Sequence, residues 1–94
     1  MERKHFRKNK QDKTTYFLLQ LQLANAYTLR GDISLAIDRA RLMYEEAKEM
    51  EYDFGMVVAN QAIGDAYTIA NQCDKALESY QDALKELYLI SPHH

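Results

Sequence analysis

Histidines, cysteines and paired carboxylates hold metals, attack carbonyls or move protons, and this 94-residue sequence contains three His, one Cys and fourteen Asp and Glu. Their placement argues against catalysis. His5 stands near one end of the chain and His93 and His94 at the other. No Ser-His-Asp order, no glycine-rich phosphate loop and no Cys/His cluster with metal spacing occurs. Cys73 has no second cysteine to pair with, and it reads as a small core residue. Glu45 and Glu46, followed by Glu49 and Glu51, crowd together as a solvated helix end does, not as a general acid beside a general base. These residues describe a non-catalytic chain with no metal and no cofactor.

Length and composition narrow the class further. Ninety-four residues make one domain at most, with one modest core or a continuous core shared between stacked units. Only three Gly and one Pro occur, and the proline is Pro92, so long helices are favoured. The net charge of −2 argues against a globally basic nucleic-acid binder. The charge is nonetheless bipolar. Residues 1–13 carry six basic and two acidic groups, a net of +4, and the remaining 81 carry six basic and twelve acidic, a net of −6. Phe6 is the only aromatic among the basic residues, so a solvated helix start explains them better than an anionic-surface contact. No apolar run approaches the ~20 residues of a membrane span, and no secretory signal is visible. One cysteine leaves the redox compartment open, with the cytoplasm favoured over a periplasmic sensor segment.

Apolar periodicity predicts four helices. The first covers residues 14–30, where Phe17, Leu18, Leu21, Leu23, Ala24, Ala26, Tyr27 and Leu29 leave almost no polar side. Gly31 suits a left-handed C-terminal position and Asp32 suits an N-cap. The second helix runs from about Ile33 to Met50, with Ile33, Ala36, Ile37, Ala40, Met43, Tyr44 and Ala47 at 3-4-3 spacing. Glu51-Tyr52-Asp53 is a short connection with Asp53 as the expected cap. The third helix runs about Phe54 to Ala70. Asn71-Gln72 forms a turn, with Asn the next best residue after Gly for a left-handed position. The fourth helix runs about Cys73 to Leu89 and stops at Ser91-Pro92.

These helices repeat. Shifting the chain by 40 residues pairs Leu23 with Ile63, Ala24 with Gly64, Ala26 with Ala66, Tyr27 with Tyr67, Thr28 with Thr68, Ala36 with Ala76 and Ile37 with Leu77. A fixed period of this size means stacked helical hairpins. Gly64 inside a helix costs ~1 kcal/mol relative to Ala, which close approach of a neighbouring helix would justify. Ala24 fills that slot in the first unit, and Ala36 and Ala76 are expected to face the slots, with Tyr27 and Tyr67 each filling its own hairpin. An ordinary up-down four-helix bundle would bury similar stripes but would not require the repeat.

The order large apolar, small, Tyr three later, Gly-Asp, then Ala, aromatic, Ala resembles the tetratricopeptide repeat. Ile63, Gly64, Tyr67, Ala76, Tyr80 and Ala83 carry the resemblance in the second unit, and Leu23, Ala24, Tyr27, Gly31, Asp32 and Ala36 in the first. Gln20 and Asn60 stand where the family has Trp, Ala40 and Met43 stand where an aromatic and an Ala are usual, and the period is longer than the common one. The resemblance implies an all-α superhelical solenoid of two antiparallel helical hairpins. Residues 1–13 would be a basic extension or helix start, 14–50 the first repeat, 53–90 the second and 91–94 a tail. It implies a protein- or peptide-binding scaffold, with a regulatory or sensor segment of a larger signalling protein, or an enzyme accessory domain, as the alternatives.

In such arrays the first helix of each hairpin lines a concave groove. The resemblance then places Leu18, Leu21, Asn25, Thr28 and Leu29 in the groove from the first repeat, and Val58, Gln61, Asp65, Thr68 and Ile69 from the second. Leu21 and Gln61 occupy the position where chaperone-binding members use Lys to clamp a peptide carboxylate, so that mode is not expected although Asn25 keeps the clamp's Asn. The expected partner is a protein or peptide, not nucleic acid. Leu84, Leu87 and Tyr88 follow one another at the end of the fourth helix without a polar cap. Self-association through them, or cover by neighbouring repeats, is expected.

Overall fold

The computed structural model describes the backbone of residues 10–90 and the side chains of residues 13–89, so His5, Phe6, most of the basic stretch, Pro92, His93 and His94 lie outside the described residues. Four α-helices and no strand make up the described chain: α1 (Lys10–Arg30), α2 (Ile33–Glu49), α3 (Asp53–Ile69) and α4 (Cys73–Ile90). No helix among the described residues is long and apolar enough to cross a membrane. Among the described residues α1 already covers Lys10–Lys13, ahead of the apolar periodicity, since charged residues such as Lys are good helix formers without being part of the apolar pattern.

The three turns are copies of one another at a spacing of 20 residues. Gly31, Glu51 and Asn71 each take a left-handed backbone, with φ of 91°, 55° and 65°. At each turn the left-handed residue donates its N–H three residues back, to Thr28, Lys48 and Thr68, at 3.0, 3.1 and 3.0 Å. The next residue donates five back, from Asp32 to Tyr27, Tyr52 to Ala47 and Gln72 to Tyr67, at 2.9, 2.8 and 2.9 Å. This paired arrangement, the Schellman motif, satisfies the carbonyls that a helix end leaves over. Neither expected acidic cap works as one. The Asp32 side chain makes no capping bond and instead pairs with Arg30 at 2.6 Å, and Asp53 is the first residue of α3, behind Tyr52 at the cap position. The Schellman bonds serve the preceding helix, while the first N–H groups of α2 and α3 receive no side-chain cap.

α1 packs on α2 and α3, α2 on α3, and α3 on α4. Among the described residues no Cα of α1 comes within 8 Å of α4, whereas the first and last helices of a closed four-helix bundle must approach, and the α2 and α4 backbones also stay apart, meeting only through the Tyr44 side chain at Glu86. The Cα positions fill a slab 39 × 38 × 16 Å. The main core lies where α1, α2 and α3 meet, and includes Phe17, Leu21, Ala24, Ala40, Met43, Ala47, Val58, Ala59 and Ala62. Phe17 and Met43 are its largest fully buried side chains. Burying one such side chain contributes ~1.5–3 kcal/mol. Phe17 anchors an aromatic group, with Tyr16 edge-on at 5.1 Å and Tyr52 at 5.4 Å. Tyr52, expected only as part of a connection, thus reaches back into the core, and its hydroxyl meets Thr14 Oγ1 at 2.6 Å.

Small residues mark the close approaches. A Cβ on Gly55 would lie 2.7 Å from the Cβ of Ala47 and 3.2 Å from Phe17, so α2 and α3 touch there almost backbone to backbone. Gly64 is a close contact as expected, but it is the Tyr80 ring that fills the space above it, at 2.6–2.8 Å from a Cβ at that position, and not Ala76. Tyr27 and Tyr67 do not fill separate hairpins; both pack on one small cluster of Ala36, Ile37 and Ala66. Cys73 is exposed, not a core residue, because its place at the first position of α4 lies beyond the reach of α3.

Candidate functional site

α1 and α3 pack side by side, and residues 40 apart in sequence meet across their shared face. Near their C-terminal ends Asn25, Thr28 and Leu29 of α1 and Asp65, Thr68 and Ile69 of α3 line one cavity of about 310 Å³. Leu29 and Ile69 are exposed, whereas Thr28 is only 3% exposed. Thr28 Oγ1 is the one buried side-chain polar atom without a hydrogen-bond partner among the described residues. Its counterpart Thr68 donates to the Gly64 carbonyl at 2.9 Å. A buried hydroxyl left unpaired costs about 1–3 kcal/mol, and with almost no accessible surface this one is a cost to the fold, closed to anything in the cavity.

Asp65 is the only charged side chain lining this cavity. It is held from a third helix. The Tyr80 hydroxyl donates to Asp65 Oδ1 and lies 3.4 Å from Thr68 Oγ1. Because Gly64 has no side chain, the Tyr80 ring can lie flat against α3 and reach Asp65 one residue further on. Burial of the ring, and then the bond to the Asp65 carboxylate, push the Tyr80 phenol above its ordinary value. Both effects make the neutral, donating form the one that persists.

Four of the ten groove residues named from sequence lie elsewhere. Leu21 and Val58 are buried in the main core, beneath the face and not on it. Leu18 and Gln61 are exposed but do not line the cavity. Of the residues named for self-association, Leu84, Leu87 and Tyr88 are all exposed along α4.

A second depression, of about 500 Å³, opens between α2 and α4 with α3 as its floor. Arg41, Tyr44 and Glu45 form one wall, Asp82, Lys85 and Glu86 the other, and Asn60 and Ile63 the bottom. Tyr44 reaches Glu86 across it at a long 3.5 Å. Burial, followed by the charge of Glu86, raises the Tyr44 phenol above its ordinary value. The walls are mobile-headed charged side chains of both signs, and no buried polar group in it lacks a partner. Chemically it is a solvated crease.

No protein-family model matches the sequence, and no curated protein or solved structure does. The geometry therefore carries the functional reading alone. Sequence reasoning missed Tyr80 as a site residue and Tyr52 as a core residue. The signal for Tyr80 was present in the helix-interior glycine: an aromatic on a neighbouring helix is a common occupant of such a notch, and Tyr80 is an aromatic of α4 that also carries a hydroxyl.

Proposed function

We propose that this chain is a non-catalytic protein- or peptide-binding module, built as two tetratricopeptide-like hairpins in a short solenoid. Two observations favour a solenoid over a bundle: α1 and α4 stay apart, and the α1 and α3 backbones pack together while α2 and α4 meet only through the Tyr44 side chain, as expected if the first helices of the hairpins line the inner side of a curve. The observation that carries the binding role is the cavity itself, where exposed Leu29 and Ile69 stand beside a single charged side chain, Asp65, held in place by Tyr80. The ligand that fits is an extended segment laid across α1 and α3, with an apolar side chain between Leu29 and Ile69 and a Lys or Arg for Asp65. A peptide carboxylate does not fit, since the one charge in the cavity is acidic.

The test is selection of peptides from a random library by the purified chain, followed by titration calorimetry. Enrichment of a basic residue beside an apolar one is expected, with binding lost in Asp65→Lys at unchanged helicity. Thr28→Val removes the unpaired hydroxyl at the same volume. It should stabilise the fold by about 1 kcal/mol and leave peptide affinity unchanged. Peptides that bind Asp65→Lys as well as the native chain, or whose binding perturbs Arg41 and Lys85 in the α2–α4 crease and not Leu29, would refute the reading.

A further inference from the structure

We infer that copies of this chain stack head to tail, the outer face of α4 on one copy receiving α1 of the next. The chain contains its own template for this joint. Within it, α2 receives α3, burying Ile37 and Ala47 from α2 and Ala59 and Ala66 from α3. Forty residues on, the α4 positions equivalent to Ile37 and Ala47 are Leu77 and Leu87, and they are 57% and 46% exposed. Forty residues back, the α1 positions equivalent to Ala59 and Ala66 are Leu19 and Ala26, with Leu19 64% exposed. Among the described residues the outer face of α4 thus bares the receiving side of the internal joint, and α1 bares the inserting side. Each bared side is bulkier than its internal counterpart at one position, Leu87 for Ala47 and Leu19 for Ala59, so the joint between copies sets Leu on Leu at one end and Leu77 on Ala26 at the other.

Charge sets the direction. By sequence α1 carries Lys10, Asp12, Lys13 and Arg30, a net of +2, and α4 carries four acidic and two basic residues, a net of −2. Head-to-tail stacking sets these against each other. It also follows the antiparallel register of the template, in which the start of α2 meets the end of α3 at Ala36, Ile37 and Ala66. The same register brings Arg30 of the next copy to the start of α4, where Asp74 and Glu78 flank Leu77. Two α4 faces set against each other would oppose like charges and leave Leu19 uncovered. A head-to-tail contact does not close on itself by two-fold symmetry, so the array extends by addition of copies. Stacking engages the repeat and not the peptide cavity, and it would place the cavities of successive copies side by side.

Leu84 stands seven residues after Leu77 and so on the same side of α4. Sedimentation velocity on the full chain across a concentration series tests the inference, with Leu84→Glu to block the receiving face and Leu19→Glu to block the inserting face. Both sites are well exposed (65% and 64%), so the variants should fold, and circular dichroism checks this. Leu77→Glu serves as a second receiving-face variant. The native chain should grow in mass with concentration and shrink towards monomer with added salt. Each variant alone should be monomeric. An equimolar mixture of Leu84→Glu and Leu19→Glu should give a dimer and nothing larger, since one intact face of each kind remains. Association of Leu19→Glu by itself would overturn the inference in favour of an α4–α4 dimer. A native chain that stays monomeric at all concentrations would overturn it too, in favour of some other cover for these faces.

Discussion

Gly64→Ala should change the sign of its effect with the residue at position 80. In the native background the added methyl would sit 2.6–2.8 Å from three atoms of the Tyr80 ring, closer than side-chain carbons come. The ring cannot simply swing out, because its hydroxyl is bonded to Asp65. Overpacking of this kind costs ~1–3 kcal/mol. Against it stands the gain of ~1 kcal/mol from replacing Gly by Ala inside a helix. The two together leave a net loss of about 1 kcal/mol. In a Tyr80→Ala background the obstacle is gone and only the propensity gain remains, so the same substitution should stabilise by up to about 1 kcal/mol. The double variant reproduces what the first repeat already has, Ala24 and Ala40, both buried in one core. Urea denaturation of the four proteins in the cycle measures the coupling. Gln61→Leu, at an exposed position on the same helix, is the control and should shift stability by no more than about 0.5 kcal/mol. An equal effect of Gly64→Ala in both backgrounds would show that Tyr80 does not press on Gly64, and the glycine would then owe nothing to the tyrosine.

Glu51→Gly should stabilise the chain by about 1 kcal/mol, since Glu51 holds a left-handed φ of 55° that costs a side chain and not a glycine; thermal melts would show it, and Gly31→Ala should lose about as much, with no steric contact to blame. Phe17→Ala should cost ~3–5 kcal/mol by denaturation, because the ring is fully buried between Tyr16 and Tyr52. The raised phenols of Tyr44 and Tyr80 stabilise the folded state while protonated in both states, and that stability is lost as pH rises above the unfolded value of about 10, where the unfolded chain ionises first. Urea midpoints between pH 8 and 11 should therefore fall less steeply in Tyr80→Phe than in the native chain, and equal slopes would refute a raised Tyr80.

Much of the fold could be read from spacing, and the misses have physical causes. Gly31 and Asn71 announce their turns because their types suit a left-handed backbone. Glu51 does not, yet the same two hydrogen bonds form there, to Lys48 and Ala47. The periodic requirement of two equal helices on either side outweighs the preference of one residue. Gly55 escaped notice because a glycine near a helix start reads as loop, and only the crossing of α2 over α3 brings Ala47 to it. The partner of Gly64 was misjudged for a related reason. Sequence alignment of repeats says which positions are equivalent, not which residue of the next helix lies above a given one; that depends on the crossing, and it selected Tyr80 one turn beyond Ala76.

The cavity follows from the repeat more directly. Asn25 and Asp65, Thr28 and Thr68, Leu29 and Ile69 are each 40 residues apart, and parallel neighbours in register must bring such pairs to one face. Leu21 and Val58 went to the core because they are apolar residues at the edge of that face, and burial decides in favour of the side with more cover. The two repeats then differ in one functional respect. Position 65 is an acid and position 25 an amide, and only the second repeat has an aromatic, Tyr80, where the first has Ala40. Ala40 is too short to reach α1's polar edge, so Asn25 has no counterpart to the bond that orients Asp65. A charge needs such a tether more than an amide does, because an untethered carboxylate turns to water and loses its aim. The glycine at 64, the tyrosine at 80 and the acid at 65 therefore form one device: the first makes room for the second, and the second points the third into the cavity.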